Sequence, residues 1–201
     1  MDPLPPFAAV VLAGGRAARL GGQAKPQLDV GGRSMLDAVL AALAGAAPRV
    51  VVGPPQPVPD GVQRVREEPP GGGPVPALAA GIAAVGGAGV VAVLAADLPF
   101  VTAGLVTALR ERLTGDGVLV VDDTGRDQLL LGVWRTAVLR DALAGARPHT
   151  PLRAVLSPLA VRRYRPPVLP GVPAPWTDCD TPAELARARA AAARLPGPVT
   201  G

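Results

Sequence analysis

The chain has 201 residues, 49% of them hydrophobic and 18% charged, with a formal net charge of +4. That balance suits one sizeable globular core and excludes a disordered chain. No apolar run approaches the roughly 20 residues that span a bilayer. The N-terminal "MDPLPPFAAV" lacks the basic start and long apolar stretch of a secretory signal, so a cytoplasmic protein without a membrane partner is expected.

Apolar runs and helical patterns then alternate. Residues 7–13 ("FAAVVLA") read as a buried strand ending in a glycine-rich loop. A helix is expected over 34–46 with Ser34 as N-cap, then a short strand over 49–53. A Pro-rich loop precedes a strand over 62–67, and "PPGGGP" opens a helix over 75–85. The most apolar run, 89–97, belongs at the centre of a parallel sheet. A helix from Thr102 to about residue 113 follows, then strands over 117–123 and 128–134 joined by the turn "TGRD". Helices around 136–144 and 152–158 lead to a strand over 160–165, and a proline-rich segment over 166–175 leads to "WTDCD". A final helix over 181–195 is capped by Thr181, with Pro182 at its first position. Such alternation predicts an α/β fold, a Rossmann-like three-layer sandwich around a mostly parallel sheet. One domain is expected over 1–201, with its core over about 8–195. In such sheets ligands sit beyond the carboxyl ends of the strands.

Three strand ends carry distinctive chemistry. The first is "LAGGRAARLGGQAK", where glycines let backbone N–H groups cradle an anion while Arg16, Arg19 and Lys25 add charge. Of the 20 basic residues Lys25 is the only lysine, the other 19 being arginine. Neither a Walker A motif nor GxGxxG is present, and the plain alternative is a flexible surface loop. The second is "LAADLPF", where Asp97 at the rim of the most buried strand suits a divalent ion on phosphate oxygens, or else a simple turn before Pro99. The third is "WTDCDTP", where Asp178 and Asp180 share a face if the segment is extended and Cys179 points inward. A lone cysteine allows no internal disulfide and no multi-cysteine metal site, and the single histidine, His149, reads as structural or exposed. Only two phenylalanines, two tryptophans and one tyrosine are present, so base stacking is poorly served and no nucleic-acid partner is expected.

The ordered motifs "LAGGRAARLGG.AK", "GGGPVPALAAG", "LAADLPF" and "DTPAEL" resemble a nucleotidyltransferase of the molybdenum cofactor guanylyltransferase type over roughly residues 8–192. The resemblance implies the nucleotide-diphospho-sugar transferase type of fold. It also implies transfer of GMP from GTP to molybdopterin with release of diphosphate, Mg²⁺ as cofactor, and other proteins of molybdenum cofactor biosynthesis or its target enzymes as candidate partners. On that pattern Leu12, Ala13 and Gly14 match the backbone that reads guanine, and Gly15, Arg16 and Arg19 match the phosphate loop. Lys25 matches the lysine on the nucleotide phosphates, Gly73 and Pro74 the turn beside the nucleoside, and Asp97 the metal ligand. Asp178 and Asp180 match a terminal pair, often asparagines in relatives, near the metal or pterin, with Asp180 the second metal ligand. Lys25, Arg19 and Asp97 form the implied catalytic set, around an in-line attack by a substrate phosphate oxygen that needs no covalent nucleophile. Two positions depart from the pattern: Ala24 precedes Lys25 where aspartate is usual, and Glu68 replaces the usual aspartate before the glycine turn. Both bear on nucleotide affinity. A cytidylyltransferase on the same cofactor stays open, although Ala13-Gly14-Gly15 favours guanine. A sugar-phosphate nucleotidylyltransferase and a non-catalytic nucleotide-binding paralogue are the further alternatives.

Overall fold

The computed structural model describes residues 4–14, 19–20, 23–147 and 149–195. Its first strand, β1 (Ala8–Leu12), is wholly buried, as an uninterrupted apolar pentapeptide between two helical layers must be. Two very short strands, β2 (Arg19–Leu20) and β3 (Gln23–Ala24), pair antiparallel and deliver the chain into a 3₁₀ turn over Lys25–Gln27. The loop expected there therefore contains a small hairpin. Two-residue strands carry no periodicity that a sequence pattern can register.

The remaining elements alternate as expected. They are α1 (Met35–Ala42), β4 (Arg49–Val52), β5 (Val62–Val65), α2 (Pro74–Ala84), β6 (Val90–Ala95), α3 (Ala103–Glu111), β7 (Gly117–Val121), β8 (Asp127–Arg135), α4 (Thr136–Ala144), α5 (Leu152–Leu156), β9 (Val161–Tyr164) and α6 (Pro182–Ala192). Two helices start at the caps expected, Ser34 and Thr181, and a third starts at Thr102, which also caps it. Ser34 accepts from the Asp37 N–H, Thr102 from the Leu105 N–H, and Thr181 forms a capping box with Glu184. The strand expected to run to residue 123 ends at Val121, because the Asp122 carboxylate turns the chain by accepting from Thr124 and Arg126 N–H groups.

The seven-stranded sheet has the order β5-β4-β1-β6-β8-β7-β9. Only β8 runs against its neighbours, and β6 lies at the centre. Alternate residues of each strand feed opposite faces. Ala9, Val11, Ala92 and Leu94 pack with α1 and α3, whereas Val10, Val52, Val91 and Val93 pack with α2, α4 and α5. This is the expected three-layer α/β arrangement. Leu12 lies level with both Val52 and Ala95, so β1, β4 and β6 end flush and present one rim. Among the described residues no helix is long and apolar enough to cross a membrane.

One glycine is set by this packing. A Cβ on Gly81 of α2 would lie 2.5 Å from Val10 Cγ1 and 2.9 Å from Val52 Cγ2, both on stiff side chains in central strands. Overpacking of this kind costs about 1–3 kcal/mol, against a helix-propensity gain of about 1 kcal/mol for alanine over glycine. Gly81→Ala is expected to lower the midpoint of denaturant unfolding with an unchanged m-value. An unchanged or higher midpoint would show that the two valines yield.

Candidate active site

A third apolar cluster fixes the site. Leu28, Val30 and Met35, just beyond the Lys25 turn, pack with Cys179 and with Leu185 and Ala188 of α6. Arg189 Nε adds a 2.9 Å hydrogen bond to the Asp29 carbonyl. Cys179 is fully buried here, so the residues on either side of it are exposed and its neighbour Asp180 is brought over Lys25. Burial, and next Asp97, push the Cys179 thiol up to about 11, which makes it a packing residue and no nucleophile.

The sole lysine is the centre of the constellation. Lys25 is only 5% exposed, and its Nζ donates to Asp97 Oδ2 and to Asp180 Oδ1, each at 2.5 Å. Residues 72 and 155 positions away in sequence thus converge on one ammonium, beyond the end of the central strand β6. Burial alone would depress the Lys25 pKa. The hydrogen bonds and charges of Asp180 and Asp97 outweigh it, leaving the pKa above the ordinary lysine value. The ammonium is therefore charged at neutral pH. Gln27 Nε2 steadies the same turn through Gln56 Oε1 and the Pro57 carbonyl, at 3.2 and 3.3 Å.

Asp178 does not join that ion pair. It faces a polar cleft of about 320 Å³, shared with Asp122 and Arg126 of the β7–β8 turn, Gln128 of β8, Trp176, and Glu184 and Arg187 of α6. Desolvation, then the charges of Asp180, Asp97 and Glu184, raise its pKa, with Lys25 opposing them. Of the two terminal carboxylates, both exposed on either side of buried Cys179, Asp180 is the one that accepts from Lys25. Across the cleft, Asp122 is held well ionised, chiefly by the Thr124 hydroxyl and the Arg126 N–H, with Gln128 Nε2 on its other oxygen at 2.8 Å.

The first glycine loop is partly described. The N–H of Ala13 and the carbonyl of Leu12 are already bonded, to Val52 O and Ala96 N, so both residues are locked into the rim. Gly14 is exposed just beyond. Gly53, at the end of β4, permits this closeness: a Cβ there would lie 2.9 Å from the Ala13 carbonyl carbon and oxygen. Arg19 lies in β2 by its backbone, and Gly15 and Arg16 lie outside the described residues. At the second glycine turn, Gly73 (φ 90°) is the N-cap of α2 and Pro74 its first residue. No side chain caps this helix, and because Pro74 and Pro76 carry no N–H, Val75 is the one backbone donor among its first three residues. Glu68 is exposed, and its neighbour Glu67 makes the stabilising contact, accepting from the Gly71 N–H at 3.0 Å.

Sequence reasoning missed Gly53, Glu67 and the Asp122–Gln128 side of the cleft. The "VDDTGRD" string signals a turn, but nothing in it shows that the turn faces "WTDCD".

A family model described as the MobA-like NTP transferase domain matches residues 9–164. A probable molybdenum cofactor guanylyltransferase of Mycobacterium tuberculosis (strain ATCC 25618 / H37Rv) is 36% identical over 150 residues, covering 70% of this chain and 75% of that protein. Among solved structures, a protein from Mycobacterium sp. strain JC1 aligns with a TM-score of 0.76 at 24% identity, covering 94% of this chain and 98% of that one. Molybdopterin-guanine dinucleotide biosynthesis protein A from Archaeoglobus fulgidus aligns with a TM-score of 0.67 at 19% identity, covering 94% and 100%. The structural likenesses establish a shared fold. The family model and the sequence match show that this chain belongs to the MobA-like NTP transferase family and is a nucleotidyltransferase.

Proposed function

We propose that the protein transfers GMP from GTP to the phosphate of a molybdopterin-type acceptor, releasing diphosphate. The observation that carries this reading is the buried Lys25 ammonium between Asp97 and Asp180, at a rim flanked by the Gly14 and Gly73 turns. Kinship with probable molybdenum cofactor guanylyltransferases supports this choice of nucleotide and acceptor.

In this reading the rim backbone of Leu12, Ala13 and Gly14 takes the guanine, and Gly73 and Pro74 flank the nucleoside. Gly15, Arg16 and Arg19 take the triphosphate. Lys25 neutralises charge that grows on the transferred phosphate, an electrostatic role that needs no proton transfer. Asp97 and Asp180 offer the hard oxygen donors that Mg²⁺ prefers, and Lys25 already occupies the cation position between them. Among the described residues no group of three or more His, Cys, Asp or Glu side chains gathers into a metal cage. That suits Mg²⁺, which keeps waters and phosphate oxygens in its shell and needs only one or two protein carboxylates. When bound, Mg²⁺ supplies Lewis-acid polarisation of phosphate and neutralises the diphosphate. The acceptor's phosphate oxygen must approach the α-phosphate in line, which leaves its ring system to the cleft beside Asp178. There Arg126 and Arg187 offer donors, Asp178 offers an acceptor, and Trp176 offers an apolar face.

Incubation with Mg²⁺, molybdenum-loaded pterin and each nucleoside triphosphate in turn tests this reading, with diphosphate release and product mass as readouts. GTP is expected to give the guanine dinucleotide product fastest. A cytosine product formed faster would assign the cytidylyltransferase alternative, and no product with any nucleotide would overturn the acceptor.

A further inference from the structure

Asp97 and Asp180 are each committed to the same ammonium, at 2.5 Å, and that ammonium belongs to a side chain only 6% exposed. The Asp97 carboxylate is 22% exposed and that of Asp180 is 59% exposed. Solvent, and any ion it carries, therefore reaches the carboxylates more readily than it reaches the lysine. Charge makes the arrangement exclusive. An ammonium already sits between the pair, and a divalent cation brought onto the same oxygens would lie within a few ångströms of a like charge in a partly desolvated site. Lys25 is also poorly placed to act on phosphate while both carboxylates hold it. Their two negative charges outweigh its single positive one, so the trio presents net negative charge to an incoming triphosphate.

We infer that Lys25 and the divalent ion compete for Asp97 and Asp180, so that ion binding frees the ammonium to turn toward the nucleotide phosphates. The inference rests on the metal-dependent reading above and deepens it by giving Lys25 two partners in succession. Replacing one shared positive charge by two also turns the site from net negative to net positive once Lys25 remains nearby. The triphosphate then meets attraction where it met repulsion. The divalent ion accordingly binds before the nucleotide. A 3₁₀ turn anchored by Gln27 on one side and by Leu28 in the apolar cluster on the other leaves the backbone in place, so the exchange is a side-chain movement.

The composition supplies a direct probe, because Lys25 is the only lysine in the chain. Protein labelled with ¹³C-lysine gives a single lysine side-chain spin system. Titration with Mg²⁺, without nucleotide, is expected to move its Cε–Hε signal saturably, with the midpoint that calorimetry finds for ion binding. In parallel, Lys25→Met removes the competitor and is expected to bind Mn²⁺ at least about tenfold more tightly than the wild type. Asp180→Asn is expected to move the ion-free lysine signal away from its wild-type position, which keeps the test informative if Lys25→Met folds poorly. Ion binding that leaves the lysine signal still, or a Lys25→Met protein that binds Mn²⁺ no more tightly, overturns the competition. So does the lack of any ion binding to either protein. Mg²⁺-dependent diphosphate release by the wild type is scored separately. If it persists while the lysine signal stays still, only the competition falls, and if it is absent the metal-dependent reading itself falls.

Discussion

Asp97→Asn is expected to lose at least about 10²-fold in turnover while the protein stays folded, the scale associated with removing one preorganised electrostatic group. The substitution is close to isosteric and keeps one carbonyl oxygen able to accept from Lys25. What it removes is formal charge at the end of the central strand, where the proposed Mg²⁺ needs an anionic anchor. Stability should suffer less than activity. Orphaning a buried charge costs about 3–5 kcal/mol, but Lys25 is not orphaned in this variant. Asp180 still accepts from it, and the Asp97 side chain is partly solvated at 22% exposure. A small fall in melting temperature with a large fall in kcat across an Mg²⁺ titration is therefore expected. Wild-type-like turnover at low Mg²⁺ would remove Asp97 from the metal site, and a collapse of the fold would recast it as a structural partner of Lys25.

Why Asp97 and Lys25 were legible in the sequence, and the cleft was not, follows from the range of the signals. An apolar run ending in an acid, "VVAVLAAD", states both that a strand is central and that its rim carries a carboxylate, because the two facts are adjacent in the chain. The caps Ser34 and Thr181, and the helix start at Thr102, were legible for the same reason. Asp122 belongs to the opposite case. The four hydrogen bonds that its carboxylate accepts, from Thr124, Arg126 and Gln128, are local, and they read as an ordinary turn. Its place opposite Asp178 depends on the order β6-β8-β7, a pairing of distant segments that no spacing in the sequence encodes. The Asp178–Asp180 pair was half legible. Alternation put Cys179 inward with an exposed carboxylate on either side, as found, yet that Asp180 rather than Asp178 meets Lys25 is a long-range contact that the local pattern does not encode. The β2–β3 hairpin failed to register for want of length.

Lys25→Arg is the second large effect, and it separates a positioned ammonium from a surface charge. Substitution at an ordinary solvated site changes stability by no more than about 0.5 kcal/mol and should leave kinetics unchanged. Lys25 is not such a site, since its one nitrogen serves two carboxylates at 2.5 Å in a setting only 5% exposed. A guanidinium carries its charge over a planar fork with donors pointing in fixed directions. It can pair side-on with one carboxylate, but it cannot gather two from opposite sides at a single point without displacing the 3₁₀ turn. It would also hold a carboxylate bidentately, a tighter grip than a lone ammonium's. Release toward phosphate would then be harder than in the wild type. The variant is expected to fold and to lose most of its activity, and Lys25→Ala to lose at least as much. Arg33→Lys is the matched control: it is an equally conservative exchange between cations, at an exposed position eight residues along the same segment. It should leave kcat and KM close to wild type. Should Lys25→Arg turn over like the wild type, the ammonium would be serving the fold alone, and the proposed transfer would have to draw its positive charge from Arg16 and Arg19.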